Sequence, residues 1–287
     1  MGLKFAEPHF VAGNLRLTRH RKLNMKLKTL RHLIFSTLIL VPGASFALPI
    51  LWVGDSSGNL GTVDVTTGDV DVIGSFGAGV VMTDIAFNSD GDLFGITFGS
   101  LYSIDTTTGA ASFIGNHGAG GTKNSLVFGD DGTLYTANNS LHTIDVLTGA
   151  STVIGNGGDS YNSSGDLAFI DGDLFLSSTS GFSDKLVELD TSNGFGSDVG
   201  SIGVGAVYGL ATDNNQDLYG VAGTSVYDID VNTGVATFSV NYGGKGLGNA
   251  WGSAFYEESG ASVPTPTSLA LLAIGLFGLG FTKKRCS

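Results

Sequence analysis

The chain has 287 residues, of which 45 are Gly and only 5 are Pro, with 42% hydrophobic and 14% charged residues. This composition is too apolar and too poor in charge for a disordered chain. A single cysteine, Cys286, excludes a disulfide framework. Abundant Gly with little Pro favours many short strands joined by tight turns.

Charge is distributed unevenly along the sequence. Residues 48–262 contain 25 acidic residues and three basic ones, a formal charge of −22, whereas eight basic residues precede residue 48 and three lie at 283–285. A surface this acidic repels nucleic acid and anionic lipid, so we exclude both as partners of this region. Two interpretations remain open, solubility in a salty exterior and specific binding of cations.

The segment 25–47 has the three parts of a secretory signal peptide. A basic start is formed by Lys26, Lys28 and Arg31. An apolar run follows at 33–41, and the small residues Ser45 and Ala47 lie at positions −3 and −1 of the cleavage site. We predict cleavage after Ala47. Residues 1–24 are polar and basic, and are either an N-terminal extension or precede the true start at Met25.

The C-terminal region, 263–287, also has three parts. It begins with Val263, Pro264, Thr265 and Pro266 and ends with Lys283, Lys284, Arg285 and two further residues. The apolar run between them, 268–281, is about 14 residues, or ~21 Å as a helix, shorter than the ~30 Å hydrocarbon core of a bilayer. We predict a transient membrane segment, with the basic end in the cytoplasm and the acidic domain outside.

This order resembles a PEP-CTERM sorting signal, in which a V-P-x-P box precedes a Leu/Gly-rich apolar helix and a basic end. Thr265 stands where the family usually has Glu. The resemblance implies processing by an exosortase-type membrane protease, with the tail removed or replaced. It also implies delivery to the cell surface or extracellular polymer matrix of a Gram-negative bacterium. The alternative is an ordinary C-terminal membrane anchor.

Between the two ends the sequence is repetitive. A turn like Asp-x-x-Thr-Gly occurs five times, at 64–68, 105–109, 145–149, 190–194 and 230–234, with Asn193 in place of Thr in the fourth copy. The glycines are separated by 41, 40, 45 and 40 residues. A second pattern keeps the same period and begins at Asp84, Ser125, Asp166, Gly209 and Gly252. It ends in Phe in four of the five repeats. Shared periods of this length indicate a repeat architecture.

Each repeat has the pattern of four short antiparallel strands, illustrated by 83–87, 93–97, 101–105 and 111–114. A unit of about 40 residues with four strands is typical of a β-propeller blade. The array begins at Leu51 without a first strand, and 250–257 supplies a first strand with nothing after it. We therefore predict an all-β, five-bladed β-propeller over residues 50–258, closed by the two ends of a domain spanning 48–262. An open sandwich or solenoid is the alternative.

Patterns associated with catalysis or ligand binding each have a simpler structural interpretation. Residues 54–58 match G-x-S-x-G, but no helix follows Ser56 and the domain has only His117 and His142 as bases. The Asp-Gly-Asp turns at 90–92 and 171–173 lack the distant Glu of a calcium loop. Gly-rich connectors, such as 77–79, fit either blade crossings or the rim of a ligand site. We predict no catalytic residue, cofactor or metal ligand.

The sequence thus predicts an exported protein of the outer surface or extracellular matrix, with a non-enzymatic binding or structural propeller. Its expected partners are the exosortase-type protease, the inner membrane through the C-terminal segment, and an exopolysaccharide or surface protein. A calcium-dependent, lactonase-like hydrolase or lyase is the alternative. An apolar or Ser/Thr-lined central channel would argue against that alternative, and three clustered carboxylates would favour it.

Overall fold

The computed structural model describes residues 49–118, 122–213 and 217–258. The predicted cleavage site at Ala47 and the predicted sorting signal, from Val263 to Arg285, lie outside these residues and stay predictions. The described part of the chain contains no helix long and apolar enough to cross a membrane.

The described residues form twenty β-strands. The first three are β1 (Ile50–Asp55), β2 (Asn59–Asp64) and β3 (Val70–Ser75). They are followed by β4 (Asp84–Phe87), β5 (Leu93–Ile96), β6 (Ser100–Ile104), β7 (Ala111–Asn116), β8 (Val127–Phe128), β9 (Leu134–Ala137), β10 (Leu141–Ile144) and β11 (Ser151–Gly155). The remainder are β12 (Ser163–Ile170), β13 (Asp173–Ser178), β14 (Lys185–Leu189), β15 (Gly196–Ser201), β16 (Val207–Asp213), β17 (Asp217–Ala222), β18 (Ser225–Ile229), β19 (Ala236–Asn241) and β20 (Ala250–Phe255).

The strands assemble into five four-stranded antiparallel sheets, the blades. Blade 1 has the order β20-β1-β2-β3, and blades 2 to 5 take β4–β7, β8–β11, β12–β15 and β16–β19 in chain order. The innermost strands β20, β4, β8, β12 and β16 contact one another in that order, and β16 contacts β20 again. The ring is therefore closed, which confirms the predicted five-bladed β-propeller.

Blade 1 joins the two ends of the domain. Leu51 pairs with Phe255, and Trp52 pairs with Ala254, in antiparallel register. Just beyond this ladder, the buried Asp55 accepts a hydrogen bond from the Gly248 amide through Oδ2, at 2.8 Å. The split repeat predicted from the sequence is confirmed, and it leaves no blade without its inner strand.

The predicted strands of blade 2 agree with β4–β7 to within one or two residues. Blade 3 differs, because β8 is only two residues long where the pattern predicts four. The Ser125 hydroxyl accepts a hydrogen bond from the Ala137 amide at 2.8 Å and donates one to the Ala137 carbonyl at 3.3 Å. A side chain therefore replaces the backbone ladder at this point, so the regular strand starts late.

The Asp-x-x-Thr-Gly turns form as their side-chain chemistry predicts. In blade 2, Asp105 Oδ1 accepts hydrogen bonds from the amides of Thr107 and Thr108, at 2.8 and 2.9 Å. Gly109 closes the turn with a φ of +76°, which Gly adopts readily. A Cβ atom on Gly109 would also lie 2.7 Å from the backbone of Gly74 in blade 1, so this glycine is needed for blade packing as well.

Aromatic rings join neighbouring blades near the end of each inner strand. Four junctions have a pair with ring centroids 5.2–5.6 Å apart, namely Trp52–Phe87, Phe94–Phe128, Tyr135–Phe169 and Tyr219–Phe255. Such pairs contribute about 0.5–1.5 kcal/mol each beyond area burial. The fifth junction has Thr212 instead, whose hydroxyl donates to the Phe169 carbonyl at 2.8 Å. The one repeat without Phe thus has a hydrogen bond in its place.

Ring closure generates a testable prediction. A chain ended after Glu258 retains every described strand, whereas a chain ended after Asn249 lacks β20 and leaves the inner edge of β1 unpaired. We expect the shorter chain to lose its cooperative thermal unfolding transition, because blade 1 and the axis then lose a whole strand. Circular dichroism melting of both chains measures this. A cooperative transition of unchanged midpoint in the shorter chain would contradict the closure.

Candidate functional site

One end of the propeller axis carries a pocket of about 310 Å³. Its lining consists of Thr83, Phe98, Asn124, Ser164, Gly165, Tyr208 and Trp251. All five blades contribute, because six of these residues lie at or just before the start of an inner strand and Phe98 lies between β5 and β6. The volume is at the lower end of the ~300–1,000 Å³ typical of small-molecule sites. This pocket, hereafter the axial pocket, is the candidate functional site.

Three aromatic side chains form much of its wall. Phe98 is 53% exposed and Tyr208 is 38% exposed, so both present ring surface to solvent, and Trp251 is partly buried. Gly165 allows this arrangement, since a Cβ atom there would lie 2.6 Å from the Cα atom of Tyr208. Exposed aromatic surface gathered in one concave site is typical of ligand binding.

The polar part of the wall is held by hydrogen bonds within the protein. The Thr83 hydroxyl donates to the Ile96 carbonyl at 3.1 Å, and the Asn124 amide donates to the Ser163 carbonyl at 3.2 Å. The Ser164 hydroxyl donates to Asp184 Oδ2 at 2.6 Å. These side chains are therefore fixed in position before any ligand arrives.

Asp184 is the buried anchor of this wall. Its Oδ2 atom also accepts a hydrogen bond from the Val207 amide, at 2.8 Å. Val207 directly precedes Tyr208, so one carboxylate positions a polar and an aromatic lining residue together. Asp184 is a positioning residue and does not itself line the pocket.

Two buried carboxyl groups meet across the axis next to the axial pocket. Asp84 follows Thr83 in β4, and Asp166 follows Gly165 in β12, and both are fully buried. The two carboxyl groups are hydrogen-bonded to each other, although their strands belong to blades 2 and 4. Glycines make room for them, since a Cβ atom on Gly252 would lie 2.5 Å from Asp84 Oδ1.

The same carboxyl groups also connect successive blades. Asp84 Oδ2 accepts a hydrogen bond from the Leu126 amide in blade 3. Asp166 Oδ2 accepts one from the Leu210 amide in blade 5, at 2.6 Å. The carboxyl pair thus contacts backbone on both sides of the axis and has a structural role.

Burial raises the pKa of both carboxyl groups well above the ordinary value of 3.8. The charge of Asp166 and a hydrogen bond to it raise the pKa of Asp84 further. Burial also raises the pKa of Glu258, which follows β20, with the charge of Asp166 as a second cause. Within the described chain, Glu258 Oε1 is buried and makes no hydrogen bond. The raised pKa values and the hydrogen bond between the two carboxyl groups favour a proton shared by Asp84 and Asp166.

The described lining of the axial pocket does not include Ser56, His117 or His142, the residues singled out from the sequence. Ser56 is in the strand-to-strand turn between β1 and β2, as predicted. His117 contacts the carbonyls of Gly149 and Thr97, each at 3.3 Å, and so packs between strands. His142 lies in β10 opposite Val153, and burial lowers its pKa to about 4.

The Asp-Gly-Asp segments are turns, as the sequence predicts. In the first of them, Asn88 Oδ1 accepts hydrogen bonds from the amides of Asp90 and Asp92, at 3.1 and 2.8 Å. Over residues 49–118, 122–213 and 217–258 no group of three or more His, Cys, Asp or Glu side chains is arranged to hold a metal ion. The described lining of the axial pocket includes none of the Gly-rich connectors.

Sequence reasoning missed the axial pocket and the carboxyl pair. Alignment of the five repeats could have identified both. The residue just before the second repeat pattern lines the pocket in every repeat, namely Thr83, Asn124, Gly165, Tyr208 and Trp251. Five equivalent positions at the start of five inner strands must converge on one end of a propeller axis. The residue type at these positions differs from blade to blade, whereas the strands around them are regular. Such variation at equivalent positions indicates a binding site.

The carboxyl pair predicts a pH dependence of stability. A folded-state pKa above the unfolded value stabilises the fold at low pH, and this contribution is lost as pH rises from about 4 through the raised pKa. In Asp84→Asn the amide stays neutral at every pH. We therefore expect the free energy of unfolding of the native protein, relative to that of the variant, to fall by about 1–3 kcal/mol between about pH 5 and pH 9.

Denaturant unfolding at both pH values measures this difference. Exposed carboxylates with lowered pKa values, such as Asp105, favour the fold at higher pH, but they are common to both proteins and cancel in the comparison. Asp90→Asn, in an exposed turn, is the matched control and should track the native protein. Parallel pH profiles for the native protein and Asp84→Asn would refute the shared proton.

No protein-family model matches this sequence, and no curated protein matches it. Solved structures share the fold at low identity. A chain of a nidogen/laminin complex aligns with a TM-score of 0.52 and 11% identity, over 73% of this chain and 98% of that chain. At this identity the likeness shows the fold alone.

Two enzymes are similar at lower TM-scores. A gluconolactonase from Xanthomonas campestris aligns with a TM-score of 0.46 and 18% identity, over 68% of this chain and 77% of that chain. A virginiamycin B lyase from Staphylococcus aureus aligns with a TM-score of 0.42 and 13% identity, over 65% and 68%. These two likenesses are too weak to support an inference about activity. The comparisons support the β-propeller fold and nothing more specific.

Proposed function

We propose that this protein is an exported, non-enzymatic binding module of the cell surface or extracellular matrix, and that its ligand binds in the axial pocket. The observation that carries the proposal is the pocket itself, to which every blade contributes a residue. Its polar side chains are held by internal hydrogen bonds, and its aromatic side chains are exposed. Such a wall can recognise a small molecule or a short stretch of polymer without rearranging.

Export is supported by the two ends of the sequence. The signal peptide would direct the chain across the inner membrane, with cleavage after Ala47. The tail from Val263 to Arg285 would then be processed by an exosortase-type membrane protease. The large negative charge of 48–262 suits a soluble module in a salty exterior. An exopolysaccharide or a surface protein is the corresponding partner.

The alternative, a calcium-dependent hydrolase or lyase, requires carboxylates grouped to hold a metal ion, and residues 49–118, 122–213 and 217–258 contain no group of three or more His, Cys, Asp or Glu side chains arranged in that way. The carboxyl groups at the axis, Asp84 and Asp166, already accept hydrogen bonds from backbone amides and are bonded to each other. The pocket wall next to them consists of hydroxyl, amide and aromatic groups. Neither arrangement provides an open set of carboxylate ligands for calcium.

The proposed route predicts two processing events. Expressed in a Gram-negative host that has an exosortase, the full-length protein should begin at Leu48 and should lose its C-terminal tail. Replacement of Lys283, Lys284 and Arg285 by Gln should leave the tail attached, whereas Thr265→Glu, which restores the usual box, should not impair removal. Mass spectrometry of the surface fraction measures both ends. An intact N-terminus, or retention of the unprocessed protein in the cytoplasm, would refute export.

The proposed ligand site predicts a specific loss of binding. Trp251→Ala removes one aromatic wall, and we expect retention of the protein by extracellular polymer of the host to fall about tenfold, equivalent to ~1.4 kcal/mol. Phe113→Ala removes an aromatic ring that is 59% exposed on the outer strand β7, far from the axis, and serves as the control. Equal retention of the two variants would place binding elsewhere.

A further inference from the structure

The two aliphatic hydroxyl groups of the axial pocket, those of Thr83 and Ser164, face a ligand as acceptors. A hydroxyl group has one hydrogen and two lone pairs, so a hydroxyl that donates within the protein offers a ligand only its acceptor side. Both aliphatic hydroxyls of the pocket are in this state, since Thr83 donates to Ile96 and Ser164 donates to Asp184. Asn124 has already used one of its two amide hydrogens on the Ser163 carbonyl. The wall therefore favours a ligand that brings its own donors.

The charge around the pocket points the same way. Of the three basic residues in 48–262, Lys185 pairs with Asp198 and Lys245 pairs with Asp69, and neither lies in the lining. Lys123 precedes Asn124, but its side chain is buried close to His117 and His142. Asp84 and Asp166 lie next to the pocket, and Asp184 lies behind its wall. The formal charge of −22 on residues 48–262 gives a negative field around the pocket, which attracts cations and repels anions.

The aromatic wall suits the same ligand. Faces of Trp and Tyr rings attract an ammonium group within about 6 Å, by ~0.5–2 kcal/mol. Flat aromatic surface also packs against the apolar face of a sugar ring. Trp251 and Tyr208 are neighbours across blades 1 and 5, and Phe98 completes the wall. A protonated amine provides three donors and no acceptor, which complements the hydroxyl and amide oxygens.

On the basis of the proposed binding function, we infer that the axial pocket binds a saccharide that carries protonated amino groups. The sugar ring would pack on the aromatic wall, and its ammonium group would lie towards Thr83 and Ser164. A neutral sugar would make the contact with the aromatic wall but would lack the interaction of an ammonium group with the negative field. An anionic sugar would face acceptor atoms and a negative field, so the pocket selects against it.

Three trisaccharides of equal size and linkage test this inference. Isothermal titration of the exported protein with a glucosamine trimer, an N-acetylglucosamine trimer and a glucose trimer compares charged, acylated and neutral rings. We expect the glucosamine trimer to bind at least tenfold more tightly than the other two. Its affinity should fall as salt is raised, because a charge interaction contributes.

Variants locate the site. Thr83→Val keeps the shape of the side chain and removes the acceptor oxygen, and it should weaken binding of the glucosamine trimer several-fold more than binding of the glucose trimer. Trp251→Ala should weaken all three. Phe238→Ala, an exposed ring on the outer strand β19, should change none. Melting temperatures of the three variants show whether each remains folded, and the order of the three sugars on the native protein does not depend on any variant.

The outcomes separate the inference from the proposed function. If the acetylated or neutral trimer binds as tightly as the glucosamine trimer, the amino-sugar inference is overturned and the binding function stands. Retention on host polymer with no binding of any trimer also overturns the inference alone. If neither polymer nor trimer binds, the proposed function fails with it. If Trp251→Ala and Thr83→Val leave the affinity for the glucosamine trimer unchanged, the trimer binds outside the axial pocket.

Discussion

The pairing of β20 with β1 is the contact on which the rest of the structure depends. It joins the last described strand to the first and gives blade 1 its inner strand. Without it the inner strands would form an open arc, and Gly252 would not lie against Asp84. The axial pocket would also lack Trp251. One antiparallel ladder thus determines the ring, the packing of its axis and the composition of the site.

A five-membered ring has a narrow axis, and the chain fills it with polar groups rather than large apolar ones. Small residues at Ser125, Gly209 and Gly252 occupy the positions equivalent to Asp84 and Asp166. Hydrogen bonds from the Leu126 and Leu210 amides satisfy the two carboxyl groups, which offsets part of the cost of burying them. Next to this carboxyl pair, the pocket residues differ from blade to blade. The strands therefore provide the scaffold, and the side chains at the start of the inner strands determine which ligand can bind.

Much of the fold was predictable because each turn is specified locally. The Asp and Gly of an Asp-x-x-Thr-Gly turn are sufficient to place the bend, and five such turns at one period define five blades. The axial pocket depends instead on residues far apart in sequence, such as Thr83 and Trp251, which only the alignment of the five repeats places at equivalent positions. The hydrogen bond from Ser164 to Asp184 is likewise invisible without the fold. The ligand chemistry follows from these contacts, and so required the structure.

The position of β20 at the end of the domain has a consequence for the order of events in the proposed export. Contacts between distant parts of a chain form slowly, because loop closure must precede them. In the proposed export, strand β1 would leave the translocation channel first and β20 last, so the ring would stay open for the whole of translocation. Throughout that interval the inner edge of β1 is exposed and prone to pair with another chain. Because the domain has few basic residues, every chain carries the same strong negative charge, and mutual repulsion would keep open chains apart until each ring has closed.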